Sequence, residues 1–81
     1  MGMSRKGAES HIRRLALLSR AVAWLPARER YVVVRRYGLD GGAVESGAAI
    51  GRTLGLGRER VRAIQQRAEV RLSWLLRAVP R

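Results

Sequence analysis

The sequence predicts a small all-α domain made of four helices. Its 81 residues suffice for one compact core. Apolar residues recur at steps of three and four in several segments, which is the period of amphipathic helices. Glycine and proline lie between those segments, where helices end. The one run with strand propensity, Val32-Val33-Val34, is flanked by helix formers and has no strand partner elsewhere, so it is also expected to be helical.

The first helix is expected to follow a flexible N-terminal arm. Residues 1–9 are polar and contain glycine, whereas residues 10–81 carry the periodic pattern of one domain. Ser10 is a suitable N-cap for the helix. Its apolar face consists of Ile12, Leu15, Leu18, Val22 and Leu25. Trp24 lies beside this face in sequence and is expected to belong to the core.

Proline and glycine delimit the second helix. Pro26 is excluded from a helix interior but favoured in a first turn, so Leu25-Pro26 is expected to close one helix and open the next. Gly38 ends that helix after about Tyr37. A turn-rich connector, Leu39-Asp40-Gly41-Gly42, follows.

The third and fourth helices meet at a glycine-rich corner. Ser46 is a suitable N-cap for a short helix over about Gly47 to Leu54. After the corner Gly55-Leu56-Gly57, the longest helix runs from Arg58 to about Ala78 and stops near Pro80. Its inward stripe consists of Val61, Ile64, Ala68, Leu72 and Leu75.

The segment from Ile50 to Ile64 fits a helix-turn-helix, which places that unit at the C-terminal end of the domain. A sharp corner between two helices needs a tiny residue where they cross, here Gly51, and a glycine in the turn, here Gly55. The apolar residues that lock the pair are Ile50, Leu54, Leu56, Val61 and Ile64. An ordinary helical hairpin is the alternative interpretation.

The charge of the chain points to a polyanionic partner. Seventeen basic residues against six acidic ones give a formal charge of +11, which favours nucleic acid first and an acidic membrane surface second. Lys6 is the only lysine among the seventeen, so the other sixteen are arginine. Arginine pairs with guanine edges and phosphates, although a GC-rich genome produces the same bias without function.

Several classes of function are excluded or disfavoured by composition. The chain has no cysteine and one histidine, and its hydroxyl groups have no obvious activating partner, so we expect no enzyme activity, cofactor or metal. No apolar run approaches the roughly 20 residues of a membrane span, and the N-terminus does not resemble a signal peptide. We expect a cytoplasmic protein that does not enter membranes.

The outer face of the last helix carries the residues that suit base recognition. At about 100° per residue, Glu59, Arg62 and Gln66 lie opposite the inward stripe, with Arg58 and Ala63 at the edges. Arg58 and Arg62 suit guanine O6 and N7, and Glu59 suits cytosine N4. A glutamate repels phosphates, so its presence favours base reading over general attraction. The alternative is a solvated face with local ion pairs.

Four segments resemble region 4 of the bacterial sigma-70 family, in the style of primary sigma factors. They are Leu25-Pro-Ala-Arg-Glu-Arg, Arg36-Tyr-Gly-Leu-Asp-Gly-Gly, Ile50-Gly-Arg-Thr-Leu-Gly-Leu and Arg58-Glu-Arg-Val-Arg-Ala-Ile, within about residues 20–75. The resemblance implies a domain that reads the minus-35 promoter element and docks on the flap of the RNA polymerase β subunit. It implies base contacts from Arg58, Glu59 and Arg62. The implied phosphate contacts are Arg28, Arg36, Gly57, Arg60, Arg67 and the amides that follow Ser46.

The chain departs from the family pattern at three places near the DNA. Ala63 replaces a usual glutamine, and Gly57 replaces a usual hydroxyl residue. Ala48-Ala49 replaces an acidic pair, which removes repulsion from DNA and weakens the charge complement to the helix dipole. We therefore expect the domain to tolerate sequence changes in the minus-35 element while its charge still binds DNA firmly.

Two further pairs of residues suggest a surface for a protein partner. Val70 and Trp74 fall outside the inward stripe, and Tyr31 and Val34 form a similar outward pair on the second helix. The partner would be the polymerase flap, an activator or anti-sigma protein, or a second copy of the chain. The alternative is a core broader than one stripe.

The predicted function is promoter binding together with polymerase docking. Sigma factors melt DNA with a separate domain, for which 81 residues leave no room, so the chain is expected to be a sigma fragment, a split-sigma subunit or a sigma-like regulator. The alternative is a protein-interaction module with residual DNA contact. A small RNA- or ribosome-binding protein is less favoured, because aromatic residues are few.

Overall fold

The computed structural model describes residues 16–78, which form four helices and no strand. They are α1 at residues 16–23, α2 at Ala27–Tyr37, α3 at Gly47–Leu54 and α4 at Arg58–Ala78. The predicted all-α class and the expected bounds of α2, α3 and α4 are confirmed. The expectations for the arm, Ser10, Ile12, Leu15 and Pro80 lie outside the described residues.

The helix ends follow from local sequence chemistry. Pro26 occupies the N-cap of α2, and Gly38 ends that helix in the left-handed conformation, with φ of 66°. The Ser46 hydroxyl accepts a hydrogen bond from the Ala49 amide at 3.1 Å and so caps α3. Gly55 ends α3 at φ of 70°, again in the region that favours glycine. These stops set the position of the α3–α4 corner.

Two apolar clusters hold the four helices together, and α4 takes part in both. One cluster joins α1, α2 and the C-terminal half of α4; its buried members are Ala21, Val22, Leu25, Val33, Ala68 and Leu72. The other joins α2, α3 and the N-terminal half of α4; its buried members are Val32, Ile50, Val61 and Ile64. The inward stripe predicted for α4 is therefore confirmed, except that Leu75 is half-buried. Its leading turns rest on α2 and α3.

A buried carboxylate reinforces the packing of α2 on α4. Glu29, in the first turn of α2, is the one charged side chain that is buried within residues 16–78. Arg71 Nε donates to both of its carboxylate oxygens, at 2.9 and 3.1 Å. Since the charge of Glu29 is paired and hydrogen-bonded, its burial is tolerated.

Three expectations about side-chain placement are wrong. Trp24 is 79% exposed instead of buried, because α1 ends at residue 23 and the following turn directs Leu25 into the core. Tyr31 and Val34 are half-buried instead of outward: Tyr31 packs against the cluster beside α3 and Val34 against the cluster beside α1. Because α2 has neighbours on two sides, its buried arc is wider than a single stripe.

Candidate nucleic-acid interface

The corner between α3 and α4 is fixed by a close backbone approach. A Cβ atom at Gly51 would lie 2.4 Å from the carbonyl oxygen of Leu56, so only glycine fits there without a shift of the backbone. The Leu56 amide donates to the Gly51 carbonyl oxygen at 2.8 Å. The small residue required by the helix-turn-helix is thus found where the two helices meet, and it orients the start of α4.

The leading turns of α4 present a polar outer face over an apolar inner one. Arg58, Glu59 and Arg62 are all exposed, while Val61 and Ile64 on the opposite side are buried against α2 and α3. The three predicted base-contacting side chains therefore lie on one accessible surface. Gln66 and Ala63 are exposed on the same outer side.

Glu59 is not neutralised by a neighbouring arginine. Between residues 16 and 78, ion pairs within 4.0 Å form only between Arg35 and Glu45 and between Arg71 and Glu29. The local ion pairs of a merely solvated face are thus not formed by Glu59. Glu59 is exposed, so its carboxylate is accessible to a hydrogen-bond donor.

Grooves with arginine side chains flank α4 on both sides. One groove of about 280 Å³ is lined by Arg36, Gly47, Arg58, Val61, Arg62 and Gln65. The other, of about 180 Å³, is lined by Pro26, Arg28, Glu29, Arg60, Ala63, Ile64 and Arg67. The four arginines predicted to contact phosphates thus lie on both sides of α4. Arg36 lies beside α3, and the other three lie beside the N-terminal end of α2.

Backbone donors add to the positive character near α3. The Gly47 and Ala48 amides lie in the first turn of that helix and therefore have no intrahelical acceptor. The Ser46 hydroxyl is engaged in capping α3, so its side chain fixes where the helix begins and only its backbone groups remain for a ligand. The Gly57 carbonyl accepts from the Val61 amide at 3.1 Å, so the first intrahelical hydrogen bond of α4 begins at this residue.

A polar network that the sequence pattern did not indicate ties the end of α2 to α4. The Tyr37 hydroxyl donates to Glu69 Oε1, and Gln65 Nε2 donates to that oxygen at 3.0 Å and to the Tyr37 hydroxyl oxygen at 3.1 Å. The hydrogen bond from Tyr37 lowers the pKa of Glu69. The same bond, which holds the phenol proton, raises the pKa of Tyr37. The network positions Gln65, which lines the groove beside Arg58.

The apolar residues predicted for a partner do not form one surface. Val70 and Trp74 are 59% and 65% exposed on the C-terminal half of α4, whereas Tyr31 and Val34 lie largely within the packing of α2. Trp24 is the exposed aromatic residue that the sequence reasoning assigned to the core.

None of the helices within residues 16–78 has the length and apolar character needed to cross a membrane. Over the same residues, no group of three or more histidine, aspartate or glutamate side chains is arranged to hold a metal ion.

The α3–α4 corner, the exposed polar face of α4 and its two arginine-lined flanks together define a helix-turn-helix domain of the DNA-binding type. The chain belongs to the sigma-70 family: residues 21–73 match the family described as Sigma-70, region 4. That region is a non-catalytic domain of transcription factors.

The sequence is also similar to two curated sigma factors. It is 35% identical over 72 residues to the RNA polymerase sigma factor sigF, chloroplastic, of Arabidopsis thaliana, a match that covers 89% of this chain. It is 49% identical over 51 residues, or 63% of this chain, to the RNA polymerase sigma-C factor of Nostoc sp.. The matched segment spans 12% of the length of each relative. No match was found among solved structures.

Proposed function

We propose that this domain reads a minus-35-like promoter element by inserting the leading turns of α4 into the major groove. The observation that carries the proposal is the placement of Arg58, Glu59 and Arg62 on one exposed face whose opposite side is fully packed. A helix that is held on its inner side presents its outer side chains in a defined orientation, which base recognition requires.

Each of the three side chains has a distinct role in this proposal. Arg58 and Arg62 each donate two hydrogen bonds to guanine O6 and N7, and Glu59 accepts from cytosine N4. Each good contact contributes about 1–3 kcal/mol of discrimination against the wrong base. Ala63 offers only a methyl group at a position where the family usually has an amide, so one base pair is read less strictly.

The flanking grooves supply the phosphate contacts. Arg28, Arg60 and Arg67 hold one DNA strand on one side of α4, and Arg36 holds the other strand beside the start of α3. The amides that follow Ser46 donate to a phosphate at the positive end of the α3 dipole. In the same proposal, the amide of Gly57 donates to a phosphate at the start of α4. These contacts orient the domain, and the base contacts give specificity.

The same domain docks on the β-subunit flap of RNA polymerase in the cytoplasm. Both relatives are named as RNA polymerase sigma factors. An apolar groove of about 390 Å³, lined by Leu18, Ser19, Val22, Val34, Leu39 and Asp40, supports such docking. Of the residues predicted for partner contact, Val34 lines this groove, whereas Tyr31 packs against the cluster beside α3. Val70 and Trp74 offer a separate surface for an activator or anti-sigma protein.

The test is selection of binding sites from a pool of randomised DNA duplexes, with the intact chain and with Glu59→Ala. We expect the intact chain to enrich a defined motif. Glu59→Ala should relax the preference at one or two adjacent base pairs and keep or raise the overall affinity, since a negative charge is removed. Glu45→Ala is the matched control, because it makes the same change in net charge at a residue that pairs with Arg35.

The alternative function, a protein-interaction module with residual DNA contact, makes the opposite prediction. In that case the intact chain and Glu59→Ala enrich the same sequences, or no sequences at all. The chain would still be retained by purified polymerase after nuclease treatment. Exposure of Trp74 and Val70 is the observation that favours this alternative.

A further inference from the structure

Two tryptophans that are far apart in sequence line one exposed groove. Trp24 follows α1 and Trp74 lies near the end of α4, and both belong to a groove of about 420 Å³ whose other lining residues are Pro26, Arg71 and Leu75. Their exposed fractions, 79% and 65%, are the largest among the bulky apolar residues of the described chain. Large exposed aromatic surface of this kind marks an interaction site.

Intramolecular hydrogen bonds hold the backbone turn that carries Trp24 and the side chain of Arg71. The Trp24 amide donates to the Ala21 carbonyl at 3.0 Å, and Arg30 Nη1 donates to the Ala23 carbonyl at 3.3 Å, so the turn after α1 is fastened on both sides. Arg71 is held through its Nε by the buried Glu29. A preformed groove loses little conformational freedom on binding, which favours affinity.

The charge around the groove selects the chemistry of its occupant. Among residues 16–78, Arg71 is the only charged residue that lines the groove, and the guanidinium of Arg77 lies 5.5 Å from the centre of the Trp74 ring. Glu29 engages Nε of Arg71, and within residues 16–78 the two Nη groups of that half-exposed side chain form no hydrogen bond, so they can donate to a further acceptor. The apolar floor suits bulky aliphatic or aromatic side chains, and the basic rim suits carboxylates.

We propose that this groove binds an acidic segment of a protein partner. In this complex, the segment inserts an apolar side chain between Trp24 and Trp74 and places carboxylates against Arg71 and Arg77. Aromatic and arginine residues at the centre of a contact supply most of its binding energy in protein complexes.

Two other occupants fit the observations less well. A second copy of the chain would bring together two molecules that each carry +11, which opposes association. Single-stranded nucleic acid would stack bases on the indole rings, but Arg77 already covers one face of Trp74. The acidic protein segment alone satisfies both the apolar floor and the basic rim.

The proposed function assigns the surface around Trp74 to a protein partner, and the acidic segment specifies the chemistry of that partner. The binding of this segment does not depend on promoter recognition. Trp74 lies sixteen residues beyond Arg58 on α4, which corresponds to about 24 Å along the helix. The tryptophan groove adjoins the groove proposed to contact phosphates, with which it shares Pro26, but none of the residues proposed to contact DNA lines it. If the duplex selection fails and peptide binding succeeds, the proposed function falls and this inference stands.

The experiment uses the intrinsic fluorescence of the chain, whose two tryptophans both lie in the groove. The probe is a synthetic helical peptide without tryptophan that carries leucine and phenylalanine on one face and glutamate on the other. A matched peptide has lysine in place of every glutamate. We expect a saturable spectral change with the acidic peptide and at least about tenfold weaker binding of the lysine peptide.

Substitutions then assign the binding to the groove. Trp24→Ala and Trp74→Ala should each weaken the acidic peptide by about tenfold or more, with the remaining tryptophan as reporter. Val44→Ala removes a similarly exposed apolar side chain elsewhere and should change nothing. Because both tryptophans are exposed, the variants should keep the circular dichroism spectrum and the duplex DNA affinity of the intact chain.

Four outcomes would overturn the inference. They are equal binding of the two peptides, unchanged acidic-peptide affinity in both tryptophan variants, tighter binding of a single-stranded oligonucleotide to the same indoles, and a concentration-dependent doubling of mass that is lost in Trp74→Ala.

Discussion

Gly51 shows how a hydrogen atom in place of a methyl group sets the orientation of α4. The backbone of Gly51 is ordinary α-helix, so glycine is required there because it lacks a side chain and not because of its conformational freedom. The carbonyl of Leu56 occupies the position that a side chain would need. Backbone atoms cannot rotate away as a side chain can, so the corner has to open if that position is filled.

Gly51→Ala is therefore expected to destabilise the domain although alanine is the better helix former. Overpacking of this kind costs about 1–3 kcal/mol, which exceeds the propensity gain of up to about 1 kcal/mol. Urea denaturation followed by circular dichroism measures the change. The matched control is Gly47→Ala, whose new Cβ would meet its nearest neighbours, the side chains of Arg58 and Val61, at 3.9 Å. Equal midpoints for the two variants would contradict the role assigned to Gly51.

Single residues also mark where sequence reasoning stopped. The sequence predicts that Trp24 belongs to the core, because its neighbour Leu25 continues the apolar period. Since α1 ends at residue 23, however, Leu25 is buried and Trp24 is exposed. The spacing of apolar residues predicts burial only within a continuous helix. Pro26 determines where α2 begins, but it does not determine the conformation of the turn that precedes it.

The packing of α2 on α4 depends on two polar links at opposite ends of the contact. The start of α2 is tied through Glu29 to Arg71, and its end is tied through Tyr37 to Glu69. Both links join residues more than thirty positions apart in sequence, 42 and 32 respectively. No local pattern encodes such pairs, and this is why the helix bounds were predictable and these contacts were not.

The Tyr37 link predicts how stability depends on pH. The lowered pKa of Glu69 contributes stability that is complete above the ordinary carboxyl value, about 4.3, and is lost as the pH falls through the folded value. The raised pKa of Tyr37 contributes stability that is complete below about 10 and is lost as the pH rises through its folded value. Since both groups are largely exposed, each effect should stay below about 1 kcal/mol.

Tyr37→Phe should remove the alkaline effect and part of the acidic one. NMR titration of the Glu69 carboxyl carbon should show its pKa moving up toward the ordinary value, although Gln65 still donates to it. Tyr31→Phe, the same hydroxyl deletion at the other tyrosine, is the control and should leave this titration unchanged. A pKa of Glu69 that is the same in all three proteins would show that the link does not form in solution.

At the scale of the whole molecule, the positions of the arginines, and not the net charge, distinguish the surface proposed to bind DNA from the other surfaces. Composition alone indicated a polyanionic partner, and the helix-turn-helix pattern indicated which helix meets it. The structure adds that Arg28, Arg60 and Arg67 share one groove although they come from two helices. This grouping depends on the crossing of α2 over α4, which sequence spacing does not specify.

Duplex binding by the isolated domain should be weak and steeply salt-dependent. With about four to six phosphates neutralised, a plot of log affinity against log salt should have a slope of about −4 to −5. Arg67→Ala should make that slope less steep by about 1 and weaken all sequences alike. Arg30→Ala removes the same charge at a side chain that contacts the Ala23 carbonyl, and should leave the slope nearly unchanged. Equal slopes for Arg67→Ala and the intact chain would remove Arg67 from the phosphate contacts.

The uninterrupted course of α4 sets a fixed distance between its proposed base-contacting turns and the tryptophan groove. Its front is clamped by one apolar cluster and its rear by the other, so neither end can tilt without the other. A protein seated at the rear would thus stand at a constant offset, and in a constant angular phase, from the base pairs met by the front. One inserted residue within α4 would advance that phase by about 100°, enough to turn the two bound molecules out of register.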